Sequence, residues 1–214
     1  QYIMDYSNIK ISADTVVEFG ELLKTVSPTD MLTLFFNAQA QRASLYTRFN
    51  NGFKQYLEDN KLEEYQTLCS NMSTMMSKIS KEVIQIEDAL RPLRPAWSDK
   101  INLMREQEKA KFILTTQYQI LKTEIHSNTA TKKDENGNEY EMPIAAGSCY
   151  HEHIEMCQQQ FNQCQQQLNQ CVLSINETLE ELQYALHDEP EEQPIIANSS
   201  ETGCQHAGHD VHHH

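Results

Sequence analysis

The stretch Tyr150-His-Glu-His-Ile154-Glu-Met-Cys157-Gln-Gln-Gln-Phe161-Asn-Gln-Cys164-Gln-Gln-Gln-Leu168-Asn-Gln-Cys171-Val-Leu-Ser-Ile175 decides the fold. Apolar or small residues recur in it at alternating steps of four and three, and the rhythm continues through Thr178 to Leu182 and Ala185. A helix written this way keeps one stripe facing another helix along its whole length. Ile154, Cys157, Phe161, Cys164, Leu168, Cys171, Ile175 and Leu182 are therefore expected to form an interaction seam that closes a bundle or pairs with a partner. The outer face is rich in glutamine, including Gln158, Gln159, Gln160, Gln165, Gln166 and Gln167, so salt bridges between helices contribute little to the choice of mate there.

The same spacing settles the cysteines. Cys157, Cys164 and Cys171 lie two helical turns apart, about 10 Å, beyond the ~7 Å limit on Cα separation for a disulfide. Zinc sites place cysteines closer in sequence. Reduced, small core residues are the expectation. Asn71, Asn176 and Asn198 open Asn-X-Ser/Thr matches that mean little without a secretory context.

Upstream, Leu62, Tyr65, Cys69, Met72, Met76, Ile79, Val83, Ile86 and Leu90 repeat the three-four alternation without a miss. Before them Leu32, Phe35, Arg42, Tyr46, Phe49, Phe53 and Tyr56 share one broad stripe, with Asn50, Asn51 and Gly52 as a weak point inside it. Ser27, Pro28 and Asp30 mark where that helix starts: a capping hydroxyl, a proline at the first helical position and an acid at the third. A short amphipathic helix, from about residue 13 to Val26, precedes it. Pro92 and Pro95 form a corner, since each lacks an amide donor and restricts the residue before it. A fourth helix, of less regular period, follows from about Ala96 to His126.

The chain thus reads as an all-α, elongated antiparallel helical bundle or set of coiled-coil-like hairpins with about five helices. Residues 1–30 form a short helix and linker, 31–126 the bundle core, 127–148 a polar loop and 149–186 the long heptad helix. Residues 187–214 make an acidic, His-ending tail, expected to be disordered.

Its 214 residues hold 31 aspartates and glutamates against 17 lysines and arginines, a formal charge of -14, with six glycines and six prolines. That charge argues against direct duplex DNA binding, since little counterion release is available to drive it. Residues 91–111 are a local exception, with Arg91, Arg94, Lys100, Arg105, Lys109 and Lys111 outnumbering three acids; a solvated helix face accounts for them. No apolar run approaches the ~20 residues of a membrane span, and no signal segment opens the sequence. A soluble, intracellular protein with no membrane association is expected.

Catalytic signatures do not emerge. Glycine-rich phosphate loops, nucleophile elbows and paired metal-binding histidines are missing. His151 and His153, two apart, fall on different helix faces. Glu63 with Glu64, and Glu180 with Glu181, read as solvated faces. Cys204, His206, His209, His212, His213 and His214 could take a metal, but a terminal tail is a poorly constrained place to build a site. The expectation is no enzyme, no cofactor, no metal and no small-molecule substrate.

One resemblance adds to this. Gln39-Ala-Gln41-Arg42, Tyr46, Phe49, Gly52-Phe53 and Tyr56-Leu57 resemble the opening of the "required for excision 1-B" domain. Ile79, Lys81, Glu82, Ile86 and Glu87, then Glu106, Glu108, Lys109 and Leu114, are similar to its later helices, and residues 174–183 to its closing helix. The resemblance implies a small helical protein linked to nucleotide excision DNA repair, with no activity to transfer and a nuclear location. The expected function is that of a non-catalytic interaction or scaffold subunit, with protein partners in a multi-subunit complex. A structural component of a ciliary or axonemal microtubule-associated complex is the alternative, and a metal-dependent activity of the terminal Cys/His cluster a third reading.

Overall fold

The computed structural model describes residues 13–129, 132–133, 139–140 and 149–188. It contains five helices: α1 (Ala13–Leu23), α2 (Pro28–Asp59), α3 (Leu62–Leu90), α4 (Pro95–Thr129) and α5 (Cys149–His187). The all-α expectation holds. Inside the expected polar loop, Lys132–Lys133 and Glu139–Tyr140 pair as two short antiparallel strands, β1 and β2. The tail beyond Asp188, with its Cys/His cluster, lies outside the described residues.

The helix ends follow from local chemistry. Ser27 is extended, and its hydroxyl accepts from the Asp30 amide at 3.1 Å, satisfying one of the orphan donors of the first turn of α2. That extended cap also ends α1 earlier than the sequence suggests. The chain leaves the helix at Leu23, and Lys24 and Thr25 turn back onto the carbonyls of Glu21 and Leu22. At the far end of α2, Asn60 takes the left-handed conformation with φ 56°, and its amide caps the Tyr56 carbonyl at 2.9 Å. The chain reverses into α3 almost at once.

Gly52, expected as a weak point, lies within unbroken helix. A Cβ there would stand 2.0 Å from Leu68 Cδ2, so the glycine permits a close approach of α2 and α3. Between α3 and α4 the corner is fastened twice: the Arg94 amide donates to the Leu90 carbonyl at 2.7 Å, and Ser98 Oγ to the Glu87 carbonyl at 3.1 Å.

Successive long helices run antiparallel, with α2 against α3, α3 against α4 and α4 against α5, while α1 lies on α3. The core is densest near the corner, where Leu32, Phe35, Val83, Ile86, Leu90, Ile101, Met104 and Leu182 are fully buried. Each such side chain contributes about 1.5–3 kcal/mol relative to exposure. Phe19 and Leu23 of α1 cover the same end.

Along α5, Cys157, Cys164, Cys171, Ile175 and Leu182 are buried, and Ile154, Phe161 and Leu168 half-buried. Phe161 lies 4.8 Å, ring to ring, from Tyr118 of α4, and Cys164 Sγ donates to the Leu114 carbonyl at 3.2 Å. The heptad stripe is thus packed against α4 within the chain. Cys69, Cys157, Cys164 and Cys171 are free thiols, and burial pushes the Cys164 thiol above its ordinary pKa.

Candidate interaction groove

The broad stripe of α2 does more than fill the core. Arg42, Tyr46, Phe49, Phe53 and Tyr56 form the floor of a long groove between α3 and α4. Its polar half, about 490 Å³, is walled by Ser73, Ser77 and Ser80 of α3 and by Arg105, Glu106, Glu108 and Lys109 of α4. Its apolar half, about 550 Å³, is walled by Leu62, Tyr65, Cys69 and Met72 of α3 and by Thr116, Gln119, Ile120 and Thr123 of α4. Phe112 lines both halves.

The apolar half is built from stacked rings. Tyr65 sits 4.8 Å from Tyr56 and 5.8 Å from Phe53, and its hydroxyl donates to Gln119 Oε1 at 2.5 Å. Burial, with Cys69 beside it, raises the Tyr65 pKa and keeps the phenol neutral. Gln119 is 4% exposed, and its Nε2 has no acceptor among the described residues. Around its mouth Leu62 is 49% exposed and Ile120 63%, while Ile113, on the polar half, is 49% exposed. Branched apolar side chains left in water around an aromatic floor mark a surface suited to another apolar group.

The polar half rests on a buried charge cluster. Arg42 is 3% exposed; its Nη2 donates to Ser80 Oγ at 3.1 Å while Nη1 has no acceptor among the described residues. Burial lowers its pKa, with the neighbouring Glu108 carboxylate acting against that shift. Glu108, itself buried, lies 3.5 Å from Lys111 Nζ through Oε1, and its Oε2 has no donor among the described residues. Lys111 also sits 4.1 Å over the Tyr46 ring. Burial first, and Glu108 second, hold the Tyr46 phenol well above its ordinary pKa.

These positions separate the sequence-marked residues into two groups. Ile79 and Ile86 are core. Glu87 is structural: buried, it takes Arg91 and Arg105 at 2.5 Å each and anchors the corner. Lys81 is exposed, Gln41 half-buried, and Glu82 lies 3.8 Å from Lys78 with its pKa raised by burial. Arg42, Tyr46, Phe49, Phe53 and Tyr56 instead meet at the groove.

The basic stretch is largely spent internally. Arg91 and Arg105 face Glu87, Lys100 pairs with Glu181, and Lys111 faces Glu108. His151 and His153 pair with Glu155 at 3.2 Å and Glu124 at 3.3 Å. Glu63, Glu64, Glu180 and Glu181 are exposed. Sequence reasoning did not single out Ile113, Ile120 or Gln119; the available signal was two isoleucines seven residues apart on an otherwise polar face of α4.

A family model described as DNA repair REX1-B matches residues 30–122. It is the family that the α2 and α3 motifs resemble. The matched residues comprise most of α2, all of α3 and most of α4, and so the floor and both walls of the groove apart from Thr123 and Glu124. Residues 174–183, similar to the family's closing helix, lie outside the match. Neither the curated proteins nor the solved structures compared with the chain include a match.

Proposed function

We propose, from the match of residues 30–122 to the DNA repair REX1-B family, that this protein serves DNA repair as a non-catalytic helical subunit, holding a partner protein in the groove between α3 and α4. The observation that carries the reading is the groove itself: an aromatic floor between two helix walls and an apolar rim in water, on the elements the family model covers. Partner segments are commonly taken up in this way, as anchors laid into a hydrophobic groove between helices.

The acidic charge of the chain and the internal pairing of its cations favour a role through protein contacts rather than through the DNA backbone. Affinity capture of the tagged full chain from cells, repeated with Ile113→Asp/Ile120→Asp, tests the groove. A co-purifying protein that disappears with the double variant is expected; unchanged capture would refute it. Survival after ultraviolet damage tests the repair assignment, and wild-type survival of cells lacking the chain would overturn it.

A further inference from the structure

We propose that the outward face shared by α4 and α5 docks a second copy of this chain through an uncharged, glutamine-rich surface. The proposal does not depend on the groove between α3 and α4.

No charged side chain stands between Glu155 and Glu177, the longest such stretch in a sequence that is 22% charged. Within it, one residue ahead of the seam that α5 packs on α4, Met156, Gln160, Gln163, Gln167, Gln170 and Ser174 repeat the same steps of four and three. Such steps hold one face of the helix. All but Ser174, which is half-buried, are exposed. On α4, Ala110, Ile113, Gln117 and Ile120 keep the same rhythm. The two stripes meet in a cleft of about 440 Å³, with Gln117 and Ile120 on one side and Gln160, Gln163 and Gln167 on the other, and no charged side chain among the described residues lines it.

The charges nearest this face are set around it. Glu124 and Glu155 stand at one end, each facing a histidine, His153 at 3.3 Å and His151 at 3.2 Å. Glu106 and Glu177 stand towards the other end, where Lys100 pairs with Glu181. Lys111 and Lys122, which bracket the uncharged part of α4, lie over the rings of Tyr46 and Tyr118, and Lys109 lines the groove with α3.

The chemistry of the face selects a second copy as its occupant. In a twofold contact a face meets itself, and in a chain of formal charge -14 most faces would then oppose like charges. A primary amide both donates and accepts, so a glutamine face can complement its own copy, as a face of carboxylates cannot. Met156 and Ile120, both largely in water, add apolar contact. The α5 stripe runs about 27 Å and the α4 stripe about 15 Å, which at a helix width of about 12 Å gives about 500 Å² per copy. The total of about 1,000 Å² is at the lower edge of specific interfaces, so the contact is a concentration-dependent dimer rather than a permanent one.

Sedimentation velocity on the full chain tests this, with a dimer of Kd about 10–100 µM expected. Raising the salt concentration is expected to strengthen it, because screening relieves the repulsion between two acidic chains. Gln163→Glu/Gln167→Glu is expected to weaken the dimer at least about tenfold, Gln163→Lys/Gln167→Lys to weaken it as well, and the two variants mixed to associate more tightly than either alone. Asn50→Asp/Asn51→Asp, which adds the same charge at exposed positions of α2, is expected to leave the Kd within about twofold. All four positions in each comparison are exposed, so the melting temperatures should agree closely. A monomer up to about 1 mM, a dimer that the glutamate pair leaves intact, equal weakening by the α2 pair, or no gain on mixing would overturn the proposal. None of the substituted positions lines the groove between α3 and α4, so dimerisation and capture of a partner there stand or fall separately.

Discussion

The two ends of the contact between α3 and α4 are built on opposite principles. Near the corner, Ile86, Leu90, Ile101 and Met104 meet with no exposed surface, Leu182 of α5 closes over the same core, and Glu87 draws Arg91 and Arg105 inward. Towards Asn60 the same two helices wall a groove lined by rings, with a buried guanidinium and a buried amide beneath it. One sequence rhythm runs through α3 along both ends, yet it fills a core at one and lines a groove at the other. Apolar periodicity specifies which face turns inward; whether that face meets side chains or a cleft depends on the helix opposite.

The comparison breaks first at the packed end. Leu182→Ala should cost about 3 kcal/mol, because a fully buried leucine leaves a cavity that the neighbouring helices relax around only partly. Urea denaturation reads this directly. A loss below about 1 kcal/mol would mean that α5 is dispensable to the corner and that stability resides elsewhere.

At the boundary between the ends, Arg42→Met should cost about 2 kcal/mol, since Glu108 keeps its burial and loses a nearby compensating cation. Adding Glu108→Gln should restore part of the loss. A double-mutant cycle measures the coupling, and strict additivity would show that the two side chains do not compensate one another.

At the open end, Ile120→Ser should change stability by no more than about half a kcal/mol, because the side chain is largely in water. Thermal melts of this variant beside Leu182→Ala sharpen the contrast: a similar drop in both would mean that the rim supports the bundle rather than serving a partner.

Much of this architecture was written plainly in the residues. Ser27, Pro28 and Pro95 stand at helix ends because caps and fixed φ angles are local chemistry, legible without the fold. The α5 stripe was legible for a different reason: a helix packed on one neighbour along its length keeps one period. α4 packs on α3 and α5 and presents a rim as well. Three demands on one helix blur its period, and the irregularity noted in the sequence was the trace of the groove. Arg42 within an aromatic stripe was a second trace, since a charge among rings has a purpose that only the partners of its guanidinium reveal. The groove's dimensions were not legible, because they depend on how far two helices diverge.

Each long helix packs on the one that follows it, so the chain can assemble in the order it is synthesised. Contacts between neighbours in sequence demand little loop-closure entropy, and helical proteins of this kind fold in microseconds to milliseconds. The hairpin of α2 and α3 can collapse while α4 is still being translated, and α5 arrives last, bringing Leu182 and Ile175 to complete the core. A chain ending within residues 130–148 would therefore carry every helix that walls the groove and none of the helix that closes the bundle.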